Sequence, residues 1–158
     1  MVISAGYFYH ISDRFFVDVN DSSLMSNKEN NGYRPHFLAI QDDSNNQIYW
    51  MIPVSSKYQK YAALVAKHVA KYGKCTKIVL GKCGDVDAAY LIQNAFPITC
   101  DYFDHIHTNN GIPLTLHQST SATIVAHLRT NLRLHKKGVN LFFADIDRLY
   151  KIMETHLT

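Results

Sequence analysis

Several features that would assign a protein to a particular class are scarce or missing in this chain of 158 residues. The three cysteines, Cys75, Cys83 and Cys100, are odd in number and have no Cys-x-x-Cys spacing, which argues against a disulfide scaffold and favours the cytosol. No apolar run approaches the length of a membrane span, and the N-terminus lacks the pattern of a secretory signal. We therefore expect a cytoplasmic protein without membrane contact.

Charge is also sparse, and acidic residues are missing from two long blocks. Charged residues make up 18% of the chain and apolar residues 47%, which predicts one globular domain spanning residues 1–158 with a substantial core. The block 57–84 contains seven lysines and no acid. The block 105–144 contains Arg129, Arg133, Lys136 and Lys137, again without an acid. Such blocks are either polyanion-binding surfaces or solvated helix faces.

A β-hairpin is predicted near the first third of the chain. Two apolar runs, 37–40 and 48–53, flank the segment 41–47, which is rich in residues that favour turns. A hairpin returns the chain to its starting point, so the polar residues before the first strand should meet those after the second. The first group is Tyr33, Arg34 and His36, and the second is Ser55, Ser56 and Lys57.

These two groups combine acid–base side chains with cations and hydroxyls that bind phosphate, and they predict no metal and no cofactor. The polar segment before the hairpin is a long loop, from which Lys28 is placed to reach the hairpin mouth. Ser55 or Ser56 is predicted to cap a helix that ends at Gly73, and a helix N-terminus is a natural seat for a phosphate group.

Helical and strand periodicities fill the rest of the chain. The helix that ends at Gly73 should bury Tyr58, Tyr61, Ala62, Val65, Val69 and Tyr72. A second long helix is predicted from Ser119 or Thr120 to Lys137, and a last one from about Asp145. Strands are predicted at 6–11, where Ser12 caps a short following helix, and at 75–80, 88–92 and 98–100.

Two histidine positions lie on predicted strands. His10 is typical of a packed strand residue rather than of a catalytic one. His105 and His107 alternate, which is a spacing that a metal ligand pair uses, although no third or fourth ligand is apparent nearby. A polar strand end or an RNA-facing surface is therefore the favoured interpretation of this pair.

Several ordered motifs resemble the ToxN/AbiQ/CptN toxins of type III toxin–antitoxin systems, most closely the CptN branch. The motifs cover nearly the whole chain and are Phe8-Tyr9-His10-Ile11, Asn27-Lys28-Glu29-Asn30, Tyr33-Arg34-Pro35, Trp50-Met51-Ile52-Pro53-Val54-Ser55-Ser56-Lys57, Gln93-Asn94-Ala95-Phe96-Pro97, Asp104-His105-Ile106-His107, His135-Lys136-Lys137-Gly138 and Asp145-Ile146-Asp147-Arg148. This resemblance is specific because it rests on several motifs in order.

The resemblance implies an α+β fold with a strongly twisted, barrel-like antiparallel sheet of the MazF/Kid type, surrounded by helices. It implies a metal-independent endoribonuclease toxin that cleaves mRNA by attack of a 2′-hydroxyl and leaves 2′,3′-cyclic phosphate ends. It also implies an antitoxin RNA of pseudoknot repeats, which the toxin cuts from a precursor and with which it forms a closed assembly. Such systems stabilise plasmids and act in abortive infection against phage.

The resemblance also suggests roles for individual residues. Ser55, Ser56 and Lys57 correspond to the hydroxyl pair and lysine of the family, with Lys60 as a substitute for Lys57 on the next turn. Tyr33 corresponds to the family tyrosine, and His36 or Lys28 takes the place of the lysine that follows it. The RNA-binding residues are then expected to be Lys28, Arg34, Lys60, His105, His107, Arg129, Arg133, Lys136 and Lys137.

Two other classes of function remain open. A non-catalytic RNA-binding module would use the basic blocks and exposed tyrosines for backbone contact and stacking. A metal-dependent hydrolase would centre on His105 and His107. Loss of cutting with retained RNA affinity after alanine substitution at Ser55–Lys57 distinguishes an enzyme from a binder, and resistance to chelators excludes the hydrolase.

Overall fold

A computed structural model describes residues 1–25, 27 and 35–157 and has a mixed α+β fold. The strands are β1 (Phe8–Ile11), β2 (Phe37–Gln41), β3 (Ile48–Ser55), β4 (Ile78–Cys83), β5 (Val86–Leu91), β6 (Phe96–Thr99), β7 (Phe103–Ile106), β8 (Thr108–Asn109) and β9 (Ile112–Pro113). The helices are α1 (Asp13–Val19), α2 (Tyr58–Tyr72), α3 (Gln118–Lys136) and α4 (Ile146–His156). The predicted α+β class is confirmed.

One large antiparallel sheet forms the centre of the fold. Its strand order is β4-β5-β3-β2-β1-β7, and β6 also pairs with β3. The long strand β3 pairs with β2 on one side; on the other side its first half pairs with β6 and its last two residues pair with β5. Strands distant in sequence therefore become neighbours, and β1 lies between β2 and β7.

The predicted hairpin is confirmed as β2 and β3. Phe37 pairs with Pro53 and Gln41 pairs with Tyr49, so the turn lies between Gln41 and Tyr49. The carboxylate of Asp42 closes the turn, because it accepts hydrogen bonds from the backbone N–H groups of Ser44 and Asn45 at 3.0 and 2.9 Å. An aspartate at the start of a turn stabilises it in this way in many proteins.

The main core joins the sheet to three of the helices. Phe15 and Val19 of α1, Ile124 and Leu128 of α3, and Leu149 and Met153 of α4 are buried in one cluster with residues of the strands. As predicted, Ser12 caps α1 through its hydroxyl, which accepts from the N–H of Arg14. No helix in the described part of the chain is long and apolar enough to cross a membrane.

Helix α2 differs from its prediction in burial and in its cap. It ends at Tyr72 with Gly73 in the left-handed region, as expected, but none of its residues is buried. Val69 is 42% exposed and Tyr72 is 59% exposed. The predicted buried stripe is wrong because α2 lies on the outer strands β4 and β5, where only a small cluster around Ile78 receives it.

Two further boundaries are also shifted from their predictions. The fourth strand begins at Ile78 and continues to Cys83, because Lys82 and Cys83 pair with Asp87 and Val86 of β5. Helix α3 begins at Gln118, one or two residues earlier than predicted, because the imidazole of His117 caps it by accepting the N–H of Ser119.

Candidate active site

Four imidazoles meet at one end of the large sheet, and we call them the imidazole cluster: His10, His36, His105 and His107. His10 of β1 pairs directly with His105 of β7. The β1–β2 register pairs Tyr9 with Phe37, so its continuation places His10 opposite His36. Directly opposite residues of antiparallel neighbours share a sheet face, so the imidazoles of His10, His105 and His36, the residue just before β2, converge.

The rings of the cluster are in direct contact. A hydrogen bond of 2.9 Å joins Nε2 of His10 to Nδ1 of His107. The rings of His36 and His107 are stacked with centroids 4.0 Å apart and planes 2° from parallel. His10 stacks on His105 at 4.3 Å. A positive charge on any one imidazole therefore disfavours protonation of its neighbours.

Burial divides the cluster into an inner and an outer part. His10 and His36 are only 7% and 5% exposed. The side chain of His105 is largely exposed, with Nδ1 3.5 Å from a carboxylate oxygen of Asp104. His107 lies between these extremes. The cluster is thus open to solvent on the side of His105 and His107.

His36, in the inner part of the cluster, is neutral at pH 7. Burial, followed by the charges of His107 and His10, lowers the pKa of His36 from 6.5 to about 3. Burial and the charge of His105 also lower the pKa of His107. At neutral pH His36 therefore supplies hydrogen bonds and ring contacts but no positive charge, so it does not reproduce the charge of the lysine that the resemblance places there.

Uncharged groups surround His36 on its inner side. The edge of Phe8 meets the ring with centroids 5.5 Å apart. The thiol of Cys83 lies 3.7 Å from Nε2, and burial raises the pKa of that thiol. Behind it, the hydroxyl of Tyr90 donates to the carbonyl of Lys82 at 2.7 Å. Cys83 is consequently a packed neutral thiol and not an activated nucleophile.

Ser55, Ser56 and Lys57 form the connection between β3 and α2, at the same end of the sheet as His36. Ser55 is the last residue of β3 and pairs with Ala89, and its hydroxyl accepts the N–H of Lys57 at 3.2 Å. Lys57 occupies the cap position of α2 without a side-chain cap, so the predicted serine cap is wrong.

The hairpin register relates these residues to the imidazole cluster. It places His36 opposite Val54, the neighbour of Ser55 in the chain. Ser56 and Lys57 are exposed beyond the end of the strand. Within the described residues, no hydrogen bond or ring contact joins Ser55, Ser56 or Lys57 to the imidazoles. Tyr33, Arg34 and Lys28, which were predicted from the same region, lie outside the described residues.

The remaining predicted RNA-binding residues lie on α2 and at or near the end of α3. Arg129 of α3 makes a bidentate ion pair with Asp43, at 2.8 and 3.0 Å. Arg133 donates to the hydroxyl of Thr130. Lys136 and Lys137 are exposed at the end of α3, and Lys60 is exposed on α2. Arg129, Arg133 and Lys136 line one groove beside α3, whereas Lys60 lies on a different helix.

His10 is the residue that sequence reasoning missed. It is buried, as the strand pattern suggested, but it is also hydrogen-bonded to one predicted site residue and stacked on another. Only the pairing of β1 with β7, 95 residues apart at His10 and His105, reveals this role. Among the described residues, no group of three or more His, Cys, Asp or Glu side chains is arranged to hold a metal ion.

Comparison with known proteins gives a structural relationship without a sequence relationship. The chain matches no protein-family model, and no curated protein matches it in sequence. Among solved structures, the chain is similar to AbiQ, a lactococcal anti-phage endoribonuclease belonging to the type III toxin–antitoxin system. The TM-score is 0.69 at 15% identity, over 98% of this chain and 99% of AbiQ. The chain thus has the fold of AbiQ along its whole length.

Proposed function

We propose that this protein is an endoribonuclease toxin of a type III toxin–antitoxin system. The observation that carries the proposal is the imidazole cluster, which gathers acid–base groups at one end of a sheet whose overall fold is that of an anti-phage endoribonuclease. The ordered sequence motifs support the same function independently of the fold comparison. Residues 1–158 then act as one catalytic domain with a barrel-like sheet of the MazF/Kid type, in the CptN branch of the family.

The proposed reaction needs a base, an acid and donors for the charge on phosphorus. In the proposed mechanism, Nδ1–H of His107 donates the hydrogen bond to Nε2 of His10. Nε2 of His107 then carries no proton and accepts the proton of a 2′-hydroxyl. The lowered pKa of His107 keeps its ring neutral and competent as a base near neutral pH. His10 acts as a positioning residue that fixes the tautomer of His107.

The bond changes follow from this arrangement. The 2′-oxygen attacks the adjacent phosphorus while its proton passes to His107, and the bond from phosphorus to the 5′-oxygen breaks. The leaving oxygen takes up a proton from a second group, for which His105 and Tyr33 are the candidates. Ser56 and Lys57 bind the phosphate and stabilise the added charge, as the resemblance suggests. The products are a 2′,3′-cyclic phosphate and a 5′-hydroxyl.

The proposed partner is an antitoxin RNA. AbiQ belongs to a type III system, and we propose that the present chain is likewise silenced by a small RNA of pseudoknot repeats. The chain would cut these repeats from their precursor and assemble with them into a closed complex in the cytoplasm. Free toxin would cleave mRNA and restrict phage.

The first test is cleavage of a synthetic RNA by the purified full chain in excess EDTA, with product ends identified by mass spectrometry. We expect 2′,3′-cyclic phosphate ends. His107→Ala should lower the cleavage rate by a factor on the order of a hundred or more, and Ser56→Ala or Lys57→Ala should do the same through lost charge stabilisation. The matched control is His117→Asn, since His117 is an exposed imidazole outside the cluster and asparagine retains the cap of α3.

Three results would contradict this proposal, each in a different way. Tight RNA binding without cutting would favour the non-catalytic RNA-binding module. Activity that requires added metal would exclude the metal-free mechanism. Cleavage by His107→Ala at the rate of the parent would show that a residue other than His107 is the general base.

A further inference from the structure

Helix α2 carries three lysines along one exposed face, and we call Lys60, Lys67 and Lys71 the lysine stripe. Steps of seven and four residues on a helix return to nearly the same direction, so the three side chains lie within about 40° of one another and span about 16 Å. All three are exposed. The stripe is therefore a linear array of positive charge.

The stripe differs from basic residues such as Lys82 and Arg129 because no acid pairs with it among the described residues. None of its lysines takes part in an ion pair with any residue that the structure describes, and residues 57–84 contain no acid. Several other basic side chains do pair with acids. Lys82 pairs with Asp87 at 3.0 Å and Arg129 pairs with Asp43 at 2.8 Å.

The groove beside α3 shows the same contrast. It has a volume of about 850 Å³ and is lined by Arg129, Arg133 and Lys136, but also by Asp42, Asp43, Asp147 and Glu154. The block 105–144 contains no acid in sequence, but in the folded protein acidic residues of other elements lie beside its basic side chains. The lysine stripe of α2 is an exposed array without an acid partner in the described structure, and a polyanion is its complementary partner.

The inner face of α2 limits what this partner can be. Tyr61 and Val65 pack on the small cluster of Ile78, Ala89 and Leu91, so the sheet occupies part of the apolar face of the helix. A helix that binds a membrane surface inserts a continuous apolar face into the lipid, whereas Tyr61 and Val65 of α2 are packed on the sheet and Leu64, Val69 and Tyr72 are exposed. This favours a nucleic acid over a lipid surface.

The C-terminal end of α2 offers an aromatic platform beside the stripe. Tyr72 is 59% exposed. Its ring lies 4.6 Å from that of His68, and the ammonium of Lys71 lies 5.1 Å from its centroid. Exposed aromatic rings next to cations are the elements with which proteins stack the bases of single-stranded RNA and hold its backbone.

We propose that the outer face of α2 is an RNA-docking surface, in which the lysine stripe binds phosphates and Tyr72 stacks on a base. This inference rests on the proposed function for its partner, the substrate or antitoxin RNA, but it concerns binding at a surface outside the imidazole cluster. Residues Lys67, Lys71 and Tyr72 were not among the predicted RNA-binding residues.

The test is the salt dependence of binding to a fluorescent single-stranded RNA, measured by anisotropy with the full chain in EDTA and with a 2′-O-methylated probe that is resistant to cleavage. Lys67→Gln/Lys71→Gln removes two phosphate contacts and preserves helix propensity. The slope of log affinity against log salt should become smaller by about 1.4, since each contact on a single strand contributes about 0.7. Between 50 and 200 mM salt, the parent should lose about sevenfold more affinity than the variant.

The matched control is Lys82→Gln/Lys151→Gln, which removes the same charge from a lysine paired with Asp87 and from one exposed on α4. Its slope should stay close to that of the parent. Tyr72→Ala should weaken single-stranded RNA binding about fivefold or more, without a change in slope and without a comparable effect on duplex RNA.

An unchanged slope for Lys67→Gln/Lys71→Gln, or an equal change for the control, would overturn the proposal. Loss of binding to anionic phosphatidylserine vesicles in that variant, with RNA binding unaffected, would assign the stripe to a membrane instead. The ribonuclease proposal is tested separately: a chain that binds RNA through the stripe but never cuts an unmodified RNA would contradict only the enzyme. If the parent cuts RNA but Lys67→Gln/Lys71→Gln leaves the slope of log affinity against log salt unaltered, only the docking-surface proposal would be contradicted.

Discussion

Among the described residues, the neighbours of His36 include His107, Phe8 and Cys83, none of which carries a negative charge. The plane of His107 covers one face of its ring, the edge of Phe8 meets it, and the Cys83 thiol lies near Nε2. Its folded pKa of about 3 is therefore well below the usual 6.5. Between these two pH values the unfolded chain binds a proton that the folded chain does not bind.

This difference predicts a pH dependence of stability. The contribution of His36 is fully favourable above about pH 6.5 and is lost progressively as the pH falls toward 3. From about pH 7.5 to about pH 5, the free energy of unfolding should fall by about 2 kcal/mol on account of this residue. Urea denaturation of the parent and of His36→Phe at both pH values measures it, since phenylalanine keeps an aromatic ring but cannot titrate.

The variant should retain a weaker pH dependence, because burial also lowers the pKa of His107 and of His127. His117→Asn provides the control, as its exposed imidazole touches no ring of the cluster. If His36→Phe loses as much stability as the parent on acidification, His36 is not the buried neutral group that the structure describes.

At the scale of elements, the turn of the β2–β3 hairpin is tied to the rest of the protein by one carboxylate. Besides closing its own turn, Asp42 accepts a hydrogen bond from the indole N–H of Trp50 at 2.7 Å and one from the hydroxyl of Tyr150 at 2.8 Å. The first partner lies on β3 and the second on α4. Burial and this carboxylate raise the pKa of Tyr150, so its hydroxyl remains a donor.

Asp42→Ala should therefore destabilise the protein by about 3 kcal/mol, because it leaves the buried indole N–H of Trp50 and the hydroxyl of Tyr150 without their acceptor. Its neighbour gives a matched control. The carboxylate of Asp43 pairs only with the exposed Arg129 in the described structure, and exposed ion pairs contribute little. Chemical denaturation should show a lower midpoint for Asp42→Ala and a nearly unchanged one for Asp43→Ala; equal losses would contradict the tethering role.

Elements set by local interactions could be predicted from the sequence. The β2–β3 hairpin follows from two apolar runs and a turn segment, and the end of α2 follows from Gly73. The burial of α2 could not be predicted in this way. Its spacing of apolar residues is that of a core helix, but its neighbours β4 and β5 lie at one edge of the sheet and provide only a small apolar surface.

At the scale of the whole molecule, the candidate site depends on contacts that sequence spacing does not encode. His105 and His107 were singled out by their alternation and His36 by its place at the hairpin. These histidines contact His10 because β1 lies between β2 and β7, which brings together residues 10, 36 and 105. Sheet order is a property of the complete fold, so a strand histidine such as His10 could not be assigned to the site beforehand.

The separation between the imidazole cluster and the lysine stripe leads to a prediction about the molecule as a whole. Substitutions at sites that share no contact partner combine additively, within roughly 0.5 kcal/mol, or a factor of about two. The two sets share no contact in the described structure. His107→Ala should lower the single-turnover cleavage rate at saturating RNA, with little change in RNA affinity. Lys67→Gln/Lys71→Gln should weaken the affinity and leave that rate unaltered.

The combined variant decides whether these are two independent functions of one fold. Its loss in kcat/KM should equal the product of the two separate losses within about twofold. His107→Ala combined with the Lys82→Gln/Lys151→Gln control should lose no more than His107→Ala alone. A combined loss much smaller than the product would mean that the stripe acts in the same step as the imidazoles, for instance by orienting the scissile phosphate. α2 would then belong to the catalytic machinery rather than to a separate docking surface.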